Sequence, residues 1–178
     1  MGSLAVRPLS ARLARVAGRF IRRGAEIPAG PERERFRLRP ITIHDAVKDY
    51  GTVMTHREHL WSLFGEAWGW PPAEMTLEED MIDLAWHQKE GDLRRSFNFA
   101  VMSPDESRLL GCVYVDPPTK QGYDAEVFWW GVPSEPGLET EIGSAARAWV
   151  EGEWPFEKVA YPGRDQSWAE YDALRDAE

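Results

Sequence analysis

Two apolar runs that follow each other closely set the architecture of this chain: LLGCVYVD at residues 109–116 and AEVFWWGV at residues 125–132. Each is long enough for a strand, and near-continuous apolar runs are typical of central strands covered on both faces. Pro117, Pro118 and Gly122 separate the runs, and such residues favour turns. The two runs therefore predict neighbouring strands inside a sheet.

Further strands and helices are predicted on both sides of this pair, from alternating or helical spacing of the apolar residues. The other predicted strands lie at residues 36–41, 97–101 and 158–161. The predicted helices lie from residue 42, within the tryptophan-rich stretch 56–72, over 76–90, over 138–153 and close to the end of the chain.

Helical spacing also predicts which side chains of these helices face the core. In the first helix they are Ile43, Ala46, Val47, Tyr50, Val53 and Met54. The helix over 76–90 begins with the capping box Thr76–Glu79, and its predicted inward residues are Leu77, Met81, Leu84 and Ala85.

Composition excludes several classes of protein. Among the 178 residues there is no run of eighteen apolar ones, so no membrane-spanning helix is predicted. The single cysteine, Cys112, excludes an internal disulfide or a cysteine-built metal centre, and no metal site is predicted. A net charge of −9 argues against a nucleic-acid partner. We expect a cytoplasmic protein, with Cys112 as a small core residue.

Basic charge is concentrated near the N-terminus, where residues 1–35 include eight arginines. Helical spacing predicts a basic amphipathic helix over residues 10–23, followed by a linker over 24–31. The predicted organisation is thus an N-terminal helix and linker, 1–35, and one domain, 36–178. Because that domain is acidic, we expect the helix to pack on protein, across a homodimer, and not on a membrane.

The order of the predicted elements resembles the GNAT superfamily of acyl-CoA-dependent N-acyltransferases. The stretch LRPITIHDA at 38–46 is similar to the family's opening LRP-x-T-x-x-DA, and the runs 109–116 and 125–132 are similar to its third and fourth strands. The resemblance covers residues 36–171. It implies an α/β (α+β) fold with a mixed central sheet flanked by helices.

The resemblance also implies an activity: transfer of an acetyl or other acyl group from acyl-CoA to the amine of a small molecule or peptide. In that family the fourth strand diverges from the next and exposes backbone groups to the pantetheine arm, and the following helix N-terminus holds the pyrophosphate. The cofactor-binding residues that it implies here are Trp130, Val132, Gly143 and Ser144.

Catalysis of this kind needs a base for the amine proton and an acid for the leaving thiolate. Glu126 is the position most similar to the family's frequent carboxylate base, and the alternative is an outward-facing strand residue. Tyr171 lies in the region of its frequent tyrosine acid, and Tyr161 is the alternative. Both tyrosines also have a purely structural interpretation.

The segment 138–144 departs from the family pattern Q/R-x-x-G-x-G/A, because Leu138 stands where Gln or Arg is expected and Glu141 replaces the first glycine. Together with Glu139, two carboxylates would stand where a diphosphate docks, and like charges about 5 Å apart repel by roughly 3 kcal/mol at an effective dielectric constant near 20. The simpler interpretation is that both are ordinary acidic residues of a first helical turn. The chain also stops soon after Tyr171, without the family's last strands. An alternative therefore stays open: a non-catalytic GNAT-fold module that binds a ligand or a protein.

The remaining candidates have weaker patterns. Four tryptophans of the segment 61–86 are predicted either to line an acceptor pocket or to pack in the core: Trp61, Trp68, Trp70 and Trp86. His56 and His59 are spaced for one helix face, and without a third ligand we expect them to be solvated.

Overall fold

The computed structural model describes residues 20–177. At its centre is a five-stranded sheet in the order β1-β2-β3-β4-β5. The strands are β1 (Arg37–Pro40), β2 (Phe97–Met102), β3 (Leu109–Asp116), β4 (Ala125–Gly131) and β5 (Val159–Ala160). The α-helices of the described region are α1 (Ala46–Thr55), α2 (Arg57–Trp68), α3 (Leu77–Asp92), α4 (Leu138–Glu153) and α5 (Trp168–Asp172), and a 3-10 turn at Ile43–Asp45 precedes α1.

The two apolar runs are the adjacent strands β3 and β4, as predicted. They pair antiparallel from Gly111↔Gly131 to Asp116↔Glu126, and every residue of both strands is buried. Helix α4 covers one face of the sheet, where Trp149 meets Phe99 edge to face. Helices α2 and α5 cover the other face, where Trp68 contacts Phe128. This two-sided cover confirms the predicted mixed sheet flanked by helices.

Strand β5 pairs with β4 in parallel over only two residue pairs, Ala125↔Val159 and Glu126↔Ala160. A parallel neighbour requires a crossover, which α4 provides. Since the pairing ends at Glu126, no described strand forms backbone hydrogen bonds with the remainder of β4 on the side that faces β5. The two strands diverge into a cleft whose wall is the edge of β4.

The inward faces of α1 and α3 differ in part from those predicted. Ala46, Val53 and Leu84 are buried as predicted. Val47 is 73% exposed and Met81 is 40% exposed, whereas Asp49 and Asp80 are buried. Apolar spacing was wrong here because it counts carboxyl groups as surface residues, and these two carboxyl groups bury each other between the helices. The capping box at Thr76 is confirmed, since its hydroxyl accepts the Glu79 backbone N–H.

The predicted basic helix over 10–23 lies mostly outside the described residues, and the described part, 20–23, is a bend and turn. Phe20 stacks on Phe156 at 5.1 Å between ring centroids, and Ile21 is buried. This part of the segment therefore packs on the domain. No helix within residues 20–177 has the length and apolarity needed to cross a bilayer.

Two glycines of α4 form a matched pair for testing how closely this helix packs. A Cβ at Gly143 would stand 2.5 Å from the Trp129 ring, whereas one at Gly152 would meet nothing within 4 Å. We expect Gly143→Ala to lower the free energy of unfolding by about 1–3 kcal/mol, because the indole must move. Gly152→Ala should be neutral or stabilise by up to about 1 kcal/mol. Urea unfolding measures both, and equal effects would contradict this packing.

Candidate functional site

The cleft between β4 and β5 is filled by side chains of the protein itself. Arg164 donates from Nη2 to the Trp129 carbonyl oxygen at 3.0 Å, and its guanidinium lies 4.8 Å from the centroid of the Trp129 ring. Further along the same strand, the Gly131 N–H faces Oε2 of Glu139 at 3.5 Å. Side-chain groups therefore take the place of a neighbouring strand.

Glu139 connects this cleft to the helix layer. Its Oε1 accepts from Arg164 Nη1 at 2.8 Å, and its Oε2 lies 2.9 Å from His59 Nε2 on α2. The side chains of Arg164 and Glu139 are 25% and 23% exposed, so both reach solvent. We call Arg164, Glu139 and His59 the cleft latch, since together they tie β4, α4 and α2.

The N-terminus of α4 is acidic, as the sequence predicted, and basic residues surround it. Glu139 and Glu141 both lie in the first turn, behind Gly137 at the N-cap with φ +75°. Arg35 reaches Glu141 at 3.3 Å. Arg108 reaches Glu135 at 2.9 Å and lowers the pKa of that carboxyl. Carboxylates of the chain thus occupy the region where a helix N-terminus favours an anion.

The four predicted cofactor-binding residues have different surroundings. Trp130 is fully buried and donates from Nε1 to the Tyr114 hydroxyl at 3.1 Å. Val132 is buried in the loop after β4, where its N–H donates to the Leu110 carbonyl. Gly143 lies under Trp129. Ser144 is exposed and donates to the Thr140 carbonyl at 3.0 Å. All four roles stay predictions.

The two predicted catalytic residues lie together. The Tyr171 hydroxyl donates to Glu126 Oε2 at 2.6 Å, and the same oxygen accepts from the Thr119 hydroxyl at 2.8 Å and from its N–H at 3.2 Å. Glu126 is 3% exposed and Tyr171 is fully buried. The alternative, Tyr161, donates instead to Glu151 at 2.8 Å, and burial together with that carboxylate raises its pKa.

A second buried group of titratable side chains lies between α1, α3 and β3. Burial raises the pKa of Asp49 well above its usual range, and the adjacent Asp80 raises it further. Burial likewise raises the pKa of Asp80, to about 6. Cys112 Sγ lies 3.8 Å from Asp49 Oδ1, and burial raises the pKa of this thiol. The thiol is therefore protonated, in keeping with the predicted core role.

His87 completes this group from α3. Burial opposes its charge, but Asp83 at 3.3 Å and the further carboxylates of Asp116 and Asp80 outweigh burial and raise its pKa. Residues 20–177 contain no group of three or more histidine, cysteine or acidic side chains arranged to hold a metal.

Two tryptophans of the tryptophan-rich segment differ in their surroundings, one in the core and one at the surface. Trp68 is buried, stacks on Phe64 at 4.3 Å and meets Phe128 and Trp168 edge to face. Trp61 is 42% exposed, with the Arg57 guanidinium 5.1 Å from its ring centroid.

The cleft latch was not predicted from the sequence. His59 was expected to be solvated, Glu139 was interpreted as an unfavourable charge or an ordinary helix-starting residue, and Arg164 was not singled out. The partners lie 25 and 80 residues apart along the chain, so no local spacing reveals them. The sequence offered one signal: a carboxylate at position 139 would need a basic partner if it lay in the cleft.

Comparison with known proteins identifies the fold. No protein-family profile and no curated protein matches the chain. Among solved structures, ribosomal-protein-S5-alanine acetyltransferase from Vibrio fischeri is 18% identical, covers 81% of this chain and 80% of its own, and has a TM-score of 0.59. RimL, a ribosomal L7/L12 alpha-N-protein acetyltransferase solved with coenzyme A, is 11% identical, covers 75% and 73%, and has a TM-score of 0.60.

A third similar structure is the microcin C7 self-immunity acetyltransferase MccE, solved with acetyl-CoA and AMP. It is 13% identical, covers 72% of this chain and 68% of its own, and has a TM-score of 0.56. The described chain therefore has the fold of the GNAT acetyltransferases, as the resemblance in sequence predicted.

The paired carboxyl groups of Asp49 and Asp80 make stability depend on pH. A carboxyl group with a higher pKa in the folded state holds its proton more tightly there, so its stabilisation is complete at low pH and is lost as pH rises through the folded value near 6. We expect Asp80→Asn to make the free energy of unfolding less dependent on pH and to raise it at pH 8 by about 1–3 kcal/mol.

Asp92→Asn is the matched control, because it removes an exposed carboxylate from the same helix. Urea titrations at pH 5 and pH 8 measure both variants. Parallel pH dependence in wild type and Asp80→Asn would show that the pair carries no proton.

Proposed function

We propose that this protein is an acyl-CoA-dependent N-acyltransferase that transfers an acetyl or other acyl group to the amine of a small molecule or peptide. One observation carries the proposal. Strand β4 separates from β5 after two residue pairs, and no described strand pairs with its edge beside the N-terminus of α4. Similar structures with this fold have been solved with coenzyme A and acetyl-CoA.

The groups along the cleft fit an amide-bearing arm followed by phosphates. The Trp129 carbonyl accepts and the Gly131 N–H donates, and the groups that meet them now are the side-chain ends of Arg164 and Glu139. A pantetheine arm could replace both contacts with its own amides. Arg164, once released from Glu139, would have its fork of donors available for a phosphate.

Glu126 and Tyr171 form the proposed catalytic pair, with Glu126 receiving the amine proton and Tyr171 holding its carboxylate in place. The geometry favours a role for Tyr171 through Glu126, because its hydroxyl touches that carboxylate at 2.6 Å. Burial of both residues requires that the acceptor reach them through a rearranged cleft.

A second function has its own support, a non-catalytic module that binds a ligand or protein on the same fold. The cleft latch closes the opening with an internal ion pair, and Glu126 is satisfied by three internal hydrogen bonds. On this alternative the latch is permanent and acyl-CoA does not bind.

Glu139 separates the two functions experimentally. Because its carboxylate repels phosphates and holds Arg164, we expect Glu139→Gln to strengthen binding of coenzyme A by roughly tenfold in low salt. Arg164→Gln should weaken binding by a similar factor. Glu153→Gln, the same charge change at the opposite end of α4, should leave the affinity unchanged. Isothermal titration with coenzyme A and acetyl-CoA measures all four proteins.

Absence of binding heat in both wild type and Glu139→Gln at millimolar coenzyme A would remove the acyltransferase proposal and favour the binding module.

Catalysis is tested by release of thiol from acetyl-CoA with a panel of amines. Glu126→Gln should reduce kcat by about a hundredfold or more with little change in coenzyme A affinity, as expected for loss of a general base. Tyr171→Phe should reduce it less, because the carboxylate remains. Unchanged turnover in Glu126→Gln would exclude this residue as the base.

A further inference from the structure

A groove that meets the cleft latch at His59 runs between α1 and the ends of β3 and β4. It consists of two adjoining cavities of about 360 and 440 Å³ that share Thr55 and His56. Its floor includes Leu109, Leu110 and Val132. We call this feature the α1 groove.

Basic side chains line the α1 groove, although the chain as a whole has a net charge of −9. They are Lys48, Arg57 and Arg108, against the single acidic residue Glu58. Lys48 donates to the Glu106 carbonyl at 2.9 Å, a neutral partner. Arg57 Nε is buried and has no hydrogen-bond partner among residues 20–177. Since Arg108 is paired with Glu135, the lining keeps the charges of Lys48 and Arg57 against that of Glu58.

Two residues of α1 are unexplained by packing within the domain. Gly51 lies inside the helix, where glycine costs about 1 kcal/mol relative to alanine, yet a Cβ there would meet nothing within 4 Å. Val47, one turn earlier, is 73% exposed beside the same groove. Because Gly51 has no side chain, another molecule's backbone can approach α1 closely at this point, beside the apolar side chain of Val47.

We propose that the α1 groove binds an extended acidic peptide segment of a partner protein, with apolar side chains on the Leu109–Leu110 floor and carboxylates toward Lys48 and Arg57. This inference goes beyond the proposed function and holds whether or not the cleft binds acyl-CoA.

Length and charge favour this occupant. Along α1, from Val47 to Thr55, the groove follows eight helical steps, about 12 Å at 1.5 Å per residue. An extended peptide rises about 3.3 Å per residue, so about four residues fit along α1, and the groove continues past His56. The chain's own arginine-rich N-terminal segment has the wrong charge sign for the groove. Nucleic acid would be repelled by the acidic remainder of the protein.

The probe is a fluorescein-labelled peptide of about eight residues that alternates leucine with aspartate or glutamate, and its binding is measured by anisotropy without coenzyme A. We expect saturable binding that weakens with added salt. Gly51→Glu should weaken it at least about tenfold, because it places a bulky anion in the groove. Lys48→Gln should weaken it about threefold or more.

Gly152→Glu is the matched control, because it adds the same side chain at another uncontacted helical glycine, away from the groove. It should bind like wild type. Thermal unfolding verifies that Gly51→Glu is folded, and Lys48→Gln keeps the test valid if it is not.

Three results would overturn the proposal. They are no binding at about 1 mM protein, far above a specific peptide affinity, equal binding of a peptide with lysine at each acidic position, and equal binding by Gly51→Glu. Full competition by phosphate or single-stranded DNA at the peptide's own concentration would instead assign the groove to small anions or to nucleic acid.

Discussion

The antiparallel pairing of β3 with β4 is the constraint on which the remaining structure depends. Because every residue of both strands is buried, both faces of the sheet must be covered. Helix α4 can cover its face closely only because Gly143 leaves room for the Trp129 ring. The opposite face requires several helices, and the aromatic cluster around Trp68 joins two of them to β4. The cleft is a by-product of the same arrangement, since a strand returning over α4 meets β4 only at its start.

The sequence predicted the architecture well because apolar runs, proline and glycine breaks and capping boxes are local signals. β3 and β4 have few alternatives to a buried pair, and the capping box at Thr76 marks its helix independently of tertiary contacts. The faces of α1 and α3 were predicted less well. Asp49 and Asp80 are buried by each other, and hydropathy spacing carries no information on such a pair. Val47 shows the opposite failure, an apolar residue left in solvent.

The candidate site was predicted in its parts but not in its connections. Glu126 and Tyr171 were both identified from the sequence, yet nothing local indicated that 2.6 Å would separate their oxygens across 45 residues of chain. The acidic first turn of α4 was read correctly from Glu139 and Glu141. Its compensation by Arg35 and Arg164 depends on segments that only the fold brings together.

The cleft latch has a consequence for how any anion would enter. Entry exchanges the Arg164–Glu139 ion pair for an ion pair between Arg164 and the anion. Because salt weakens both ion pairs, the affinity depends less on ionic strength than the ligand's charge suggests. The apparent affinity for the anion is also reduced in proportion to the fraction of molecules in which the cleft is open. If the Arg164–Glu139 pair favours closure by about 1 kcal/mol, as partly exposed pairs do, only about one molecule in six is open at a given moment. Because the protein's own side chains occupy the closed site, it selects ligands that bind both the strand edge and the released arginine.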